Sequence, residues 1–247
     1  MLGVNISGAE YSAPGGTLGY DYTYPFHSEI DYYASHGLNV IRMPISLERL
    51  QPTPYRPLDS QQTAQMDDVI SYAAQRGVTV DIDPHNYGYA YGNMIGGTTD
   101  STNQFADFWS KMASHFDSHP NVMFGLMNEP HDQTPQQWAG AAQAAVNAIR
   151  ATGASQEILT PGTDWTGAQP GSTPATPRSS PPTSTIPATT WRSKCICIST
   201  TTTRALAPRS ILQPLARIGW PRSPNGRRVP ATACSSANSA PHRIRQA

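Results

Sequence analysis

The last third of this chain has no acidic side chain at all. Residues 170–247 carry 11 basic residues and no Asp or Glu, whereas residues 1–169 carry 6 basic and 17 acidic ones, so the net charge of zero is the sum of two opposite excesses. That last third also lacks Tyr and Phe, all 11 and 5 of which lie earlier, while it holds 12 of the 23 Pro and all three Cys: Cys195, Cys197 and Cys234. A segment poor in aromatics, rich in proline and unbalanced in charge cannot bury enough apolar surface to offset chain entropy. We therefore divide the chain at residue 169 and expect 170–247 to be a Pro/Ser/Thr/Arg-rich tail without regular structure.

Other absences narrow the class. No run approaches the roughly 18 to 20 apolar residues of a membrane-spanning helix, so no membrane contact is expected. Met1 leads into Gly3-Val4-Asn5-Ile6 without a basic-then-apolar leader, and no export signal is read there. No Gly-rich phosphate loop opens a helix after any strand, which removes the main feature of a nucleotide-binding fold. Nucleic acid is not expected as a partner. The three Cys are too few for a zinc site, and the Asp81, Asp83, His85 set is a weak metal candidate because Pro84 should break the strand ladder.

The first part alternates strand and helix patterns. GVNIS (3–7), NVIRMPI (39–45), VTVDID (78–83), VMFGLM (122–127) and EILTP (157–161) have strand character. Phe105, Phe108, Trp109, Met112, Ala113 and Phe116 follow helical spacing, as do Trp138, Ala141, Ala142, Ala145, Val146 and Ile149. Thr134-Pro135 supplies an N-cap and an N1 proline for the latter. Met66, Val69, Ile70, Ala73 and Ala74 form a third stripe stopped by Gly77, and a shorter helix from about Phe26 stops at Gly37. Four helices between five strands predict an α/β fold with parallel strands.

Polar groups gather where those strands end: Arg42 in NVIRMPI, His85-Asn86-Tyr87 after VDIDP, Asn128-Glu129-Pro130 after VMFGLM, and Asp164-Trp165 after EILTPG. Such a gathering suits the mouth of a (β/α)8 barrel. Glu129 is the candidate general acid, its pKa to be raised by partial burial beside aromatic groups. Arg42, inside an apolar strand, is expected to pair with a carboxylate in the mouth or, alternatively, with Asp81 or Asp83. Tyr87, Tyr89, Tyr91 and Trp165 read as platforms for sugar rings, and Asn86, Asn93 and Asn128 as partners for sugar hydroxyls.

Taken in order, GVNISGAEY, GLNVIRMPI, DPHNYGYAYG, VMFGLMNEP and GTDWTGAQ resemble the strand-end motifs of glycoside hydrolase family 5, more closely those of its fungal and bacterial endoglucanases. The resemblance covers residues 1 to about 169. It implies a (β/α)8 TIM barrel acting as a retaining endo-β-1,4-glucanase on cellulose or related β-glucans. It also implies Glu129 as acid/base, Arg42, His85, Asn86, Tyr87, Asn128 and Trp165 against the substrate, no metal or organic cofactor, a monomer, and secretion. The pattern then breaks: the family draws its nucleophile from a Glu on the seventh strand, and no Glu follows Glu157 here. Five strands leave the barrel incomplete. Alternatives are a catalytically inactive glucan-binding protein, or a partial catalytic domain followed by a linker (170–190) and a carbohydrate-binding module.

A frame change accounts for the break. With suitable synonymous codons, Trp191–Thr202 read two bases later becomes AFEVHLHLDDD, close to the family's sixth strand; Pro170–Pro181 becomes WVNSGNAAFV, and Ala233–Ser239 becomes VLFGEF with the missing Glu. The tail is accordingly expected to be out of frame.

Overall fold

The computed structural model describes residues 1–166 and the backbone of a strand at 191–193, all within one compact unit spanning Met1–Thr203. Its centre is a sheet of parallel strands: β1 (Gly3–Asn5), β2 (Val40–Ile45), β3 (Thr79–Pro84), β6 (Val122–Gly125), β7 (Glu157–Thr160) and β8 (Trp191–Ser193), in that spatial order. Five of these are the strands expected from sequence. The sixth corrects the reading of residues 170–247, since Trp191 pairs with Ile158 and Ser193 with Thr160. The rest of the tail, including the proposed linker, lies outside the described residues. Two antiparallel two-residue strands, β4 (Tyr89–Ala90) and β5 (Asn93–Met94), form a hairpin after β3. Pro84 does not break the ladder: it is the last residue of β3 and faces Ile45 in the register.

Helices cross between the strands, as parallel pairing demands. They are α1 (His27–Ser35), α2 (Leu47–Leu50), α3 (Ser60–Gln75), α4 (Thr99–Phe116) and α5 (Pro135–Ala151). The Thr98 hydroxyl accepts from the Ser101 N–H at the start of α4, and Thr134 caps α5 in the same way with Pro135 following. Gly37 and Gly77 follow the C-caps of α1 and α3 with φ of 80° and 68°, the left-handed turn that stops each helix.

The stripes read from sequence are the buried faces. Phe105, Phe108, Trp109, Met112, Ala113 and Phe116 of α4 are buried, and so are Trp138, Ala141, Ala142, Ala145, Val146 and Ile149 of α5. Each large side chain among them contributes about 2 kcal/mol by leaving water. Phe105 meets Trp138 at 6.0 Å between ring centroids, and Trp109 meets Phe124 of β6 at 5.6 Å, so α4 bridges α5 and the sheet. On α3, Met66, Val69, Ile70 and Ala73 are buried, but Ala74 faces solvent at the far side of the stripe. No helix among the described residues is long and apolar enough to cross a membrane.

Candidate active site

Parallel strands put all their C-terminal ends on one rim, and there Arg42 is the hub. Its Nη1 donates to Asn5 Oδ1 at the end of β1 (2.8 Å), and its Nη2 donates to Asp83 Oδ2 on β3 (2.5 Å) and to Asn128 Oδ1 just beyond β6 (2.6 Å). One buried guanidinium thus ties four strand ends together, the planar fork supplying donors in separate directions. Of the partners expected for Arg42, the structure selects Asp83, whose carboxyl is wholly buried. Asp83 is also 3.2 Å from His85 Nδ1. A carboxylate oxygen accepts, so Nδ1 carries the proton in that contact.

Asn128 is fixed twice, through its side chain by Arg42 and through its N–H, which donates to Pro84 O at 2.8 Å. With Oδ1 occupied, its Nδ2 is the group left to donate into the mouth. Glu129, next along the chain, has φ of 42°, a left-handed conformation that costs a non-glycine residue about 1–3 kcal/mol. It is exposed, where partial burial was expected. Tyr87 reports what surrounds it. Burial pushes its phenol pKa up first, then the Glu129 and Glu10 carboxylates add to that, Arg42 opposes, and Asp83 adds a little more. Tyr87, Glu129, Glu10, Arg42 and Asp83 therefore share one electrostatic neighbourhood.

Aromatic rings continue from His85 along the rim. His85 meets Tyr87 edge-on at 5.1 Å, Tyr87 meets Trp165 at 6.2 Å, and Trp165 stacks flat on His131 at 3.8 Å with planes 7° apart. Tyr87 and Trp165 are exposed at 39% and 53%, and both have left-handed backbone angles. Trp138 Nε1 donates to Pro161 O at 2.8 Å, so the buried face of α5 anchors the turn that carries Trp165. Gly88 permits the loop to close on the other side: its φ is 88°, and a Cβ there would lie 2.2 Å from the buried Gln133 side chain.

Two expected sugar contacts have other work. Both ends of the Asn86 amide are engaged, Oδ1 accepting from Leu47 N–H (3.0 Å) and Nδ2 donating to Glu48 Oε2 (2.7 Å). Glu48 Oε1 accepts the Tyr91 N–H at 2.9 Å, so Asn86 and Glu48 together clasp the 85–91 loop to α2. Tyr91 is half-buried against the core with its hydroxyl donating to Gln51, a packing residue instead of a platform. Tyr89 donates to Asp132. Asn5, Glu48 and His131 were missed from sequence; only His131 had a visible signal, directly after the Asn128-Glu129-Pro130 motif.

A family model described as cellulase, glycosyl hydrolase family 5, matches residues 4–189. The chain belongs to glycosyl hydrolase family 5. It is similar to a manganese dependent endoglucanase of Phanerodontia chrysosporium, 36% identical over 181 residues that cover 71% of this chain and 46% of that protein. Endo-β-1,4-glucanase A of Emericella nidulans is 38% identical over 172 residues, 68% of this chain and 51% of its own length. Among solved structures, XacCel5A in complex with cellopentaose superposes with a TM-score of 0.65 at 43% identity, over 67% of this chain and 54% of that one. The chain spans about half the length of the curated relatives it matches. The sheet is accordingly part of the family 5 (β/α)8 barrel, incomplete among the described residues.

Proposed function

We propose that this chain carries the acid/base half of an endo-β-1,4-glucanase site, binding a β-glucan across the rim with Glu129 as the proton donor to the glycosidic oxygen. The observation that carries this reading is the Arg42 hub, which holds Asn128 beside Glu129 and opens onto an exposed aromatic row. In it Asn128 Nδ2 donates to a sugar hydroxyl, His85 Nε2 accepts from one, and the Tyr87 and Trp165 rings pack on pyranose faces. Asn86 acts through the loop it braces. The cellopentaose bound by XacCel5A supports the ligand class. Secretion and a monomeric state come to the proposal from the family resemblance alone.

Hydrolysis by these 247 residues is impaired in this reading. A retaining site needs a second carboxyl roughly 5 to 5.5 Å from the first. After Glu157 the sequence holds only Asp164, on the same turn as Trp165. Glu129 can then protonate a leaving oxygen, but nothing opposite it forms the glycosyl-enzyme bond. The intact aromatic row beside a missing nucleophile also favours the second reading, a glucan-binding protein without turnover.

Calorimetric titration with cellopentaose tests the proposal. We expect saturable binding that is weakened by Trp165→Ala and by Tyr87→Ala. Absence of any cellopentaose-dependent heat, with the folded state verified by circular dichroism, would overturn it.

A further inference from the structure

Glu129 and Trp165 sit on loops that leave different strands, and His131 touches both. Its ring lies flat on the Trp165 indole at 3.8 Å, and its Nδ1 is 3.3 Å from the Glu129 carbonyl oxygen. A carbonyl only accepts, so Nδ1–H is the donor in that contact. On its other side Nε2 is 3.3 Å from Asp132 Oδ2, and that same oxygen accepts the Tyr89 hydroxyl at 2.6 Å. The imidazole is therefore held from the Glu129 backbone with the Asp132 carboxylate beside its other nitrogen, and its side chain is 19% exposed.

Among the described residues the indole has little else to fix it. Trp165 is 53% exposed, sits in the middle of three successive residues with left-handed φ, and makes one backbone hydrogen bond to this loop, N–H to Pro130 O at 3.3 Å. A flat stack at a fixed distance sets the tilt of the free ring, and the edge of Tyr87 at 6.2 Å limits its swing.

We infer that His131 is a positioning residue that sets the plane of the Trp165 indole relative to the Glu129 loop, and so the face on which a sugar ring rests. The inference rests on the glucan reading for its ligand, but the stack itself can be read without one. What the ligand needs from His131 is a flat ring, since the Nδ1–H bond to the Glu129 carbonyl orients the imidazole and not the sugar.

The test uses the chain as it stands, with His131→Ala, His131→Phe and Trp165→Phe. Acrylamide quenching of the Trp165 emission, isolated as the difference from Trp165→Phe, reads the stack. We expect quenching to rise in His131→Ala and to stay near the parent value in His131→Phe. Cellopentaose affinity should fall about three- to tenfold in His131→Ala, the worth of one aromatic stack, and recover to within about twofold in His131→Phe. Unchanged quenching in His131→Ala, or His131→Phe as impaired as His131→Ala in both readings, would overturn the inference. If the parent binds no cellopentaose, the glucan reading fails and the quenching series alone decides whether His131 positions the indole.

Discussion

Arg42 and Asn128, 86 positions apart, meet at 2.6 Å through Nη2 and Oδ1 at the rim of the sheet. The contact settles which way the Asn128 amide faces, because only its oxygen can accept from a guanidinium. It also explains why a cation can sit in an apolar strand: the same nitrogen donates to the buried Asp83, so the charge is paired where it would otherwise be costly. Stability and site geometry are joined in one side chain.

Replacing Arg42 should then cost far more than a surface charge. Arg42→Met removes the cation beside the wholly buried Asp83 carboxyl, and breaking one partner out of such a pair costs about 3–5 kcal/mol. Arg42→Lys should recover less than half of that, because one ammonium cannot reach Asn5, Asp83 and Asn128 from two separate nitrogens. Urea unfolding of the three proteins gives the comparison. A loss below about 1 kcal/mol in Arg42→Met would show that the hub is dispensable.

Alkaline pH should unfold the chain through its buried phenols. Tyr24 is buried with its hydroxyl donating to Gln62 Oε1 at 2.9 Å, and burial raises its pKa far above the ordinary 10.0, with Tyr91 shifted the same way. For a group whose folded pKa is raised, the stabilisation is complete below the unfolded value and is lost as pH climbs toward the folded one. The urea midpoint should be insensitive to these tyrosines at neutral pH and fall above about pH 10. Tyr24→Phe should cost about 1 kcal/mol at neutral pH and make that fall shallower. A steeper alkaline fall in Tyr24→Phe would reverse the assignment.

How far these features were legible from the sequence depends on their length. The stripes on α3, α4 and α5 could be read because 16 to 18 residues of helix repeat the burial period several times, with Thr134 marking where α5 starts and Gly77 where α3 stops. Four-residue α2 and the two-residue strands of the Tyr89–Met94 hairpin repeat no period at all. In the site, residue types could be placed on the rim but not paired. Asp81 and Asp83 share one strand face, and although the register sets Arg42 opposite Asp81, its Nη2 donates to Asp83 two residues further on, which sequence alone does not tell. Tyr91 looked like its neighbours Tyr87 and Tyr89 until the Glu48 clasp turned it inward.

That clasp can be tested directly. Both oxygens of Glu48 are used, one by Asn86 Nδ2 and one by the Tyr91 N–H, so Glu48→Ala leaves a half-buried backbone donor without its acceptor. We expect a loss of about 1–3 kcal/mol. Amide hydrogen exchange at Tyr91 should accelerate in Glu48→Ala, and Glu48→Gln, which keeps one acceptor oxygen, should fall between that variant and the parent. Exchange at Tyr91 that is the same in all three proteins would remove the clasp from the account.

The proposed loss of the nucleophile gives the most demanding test. Retention at a glycosidic carbon requires one carboxyl to protonate the leaving oxygen and another to attack from the opposite face; in the proposed reading Glu129 takes the first role, and no glutamate follows Glu157 to take the second. Asp164 is a poor substitute: it is exposed on the turn after β7, and its side chain is one methylene shorter. β8 pairs in parallel with β7, and the proposed shifted reading of Trp191–Thr202 would put an FEVH sequence at that place. Sequencing the DNA around the Gln169 codon, and restoring one base there, should return the remaining strands and the nucleophile together. Reducing-sugar release from a soluble cellulose derivative should then rise by at least several thousand-fold, on the order expected for regaining a covalent nucleophile. Glu129→Gln in the restored chain should abolish most of that gain. Equal rates for the chain as given and the restored one would refute both the frame change and the missing nucleophile.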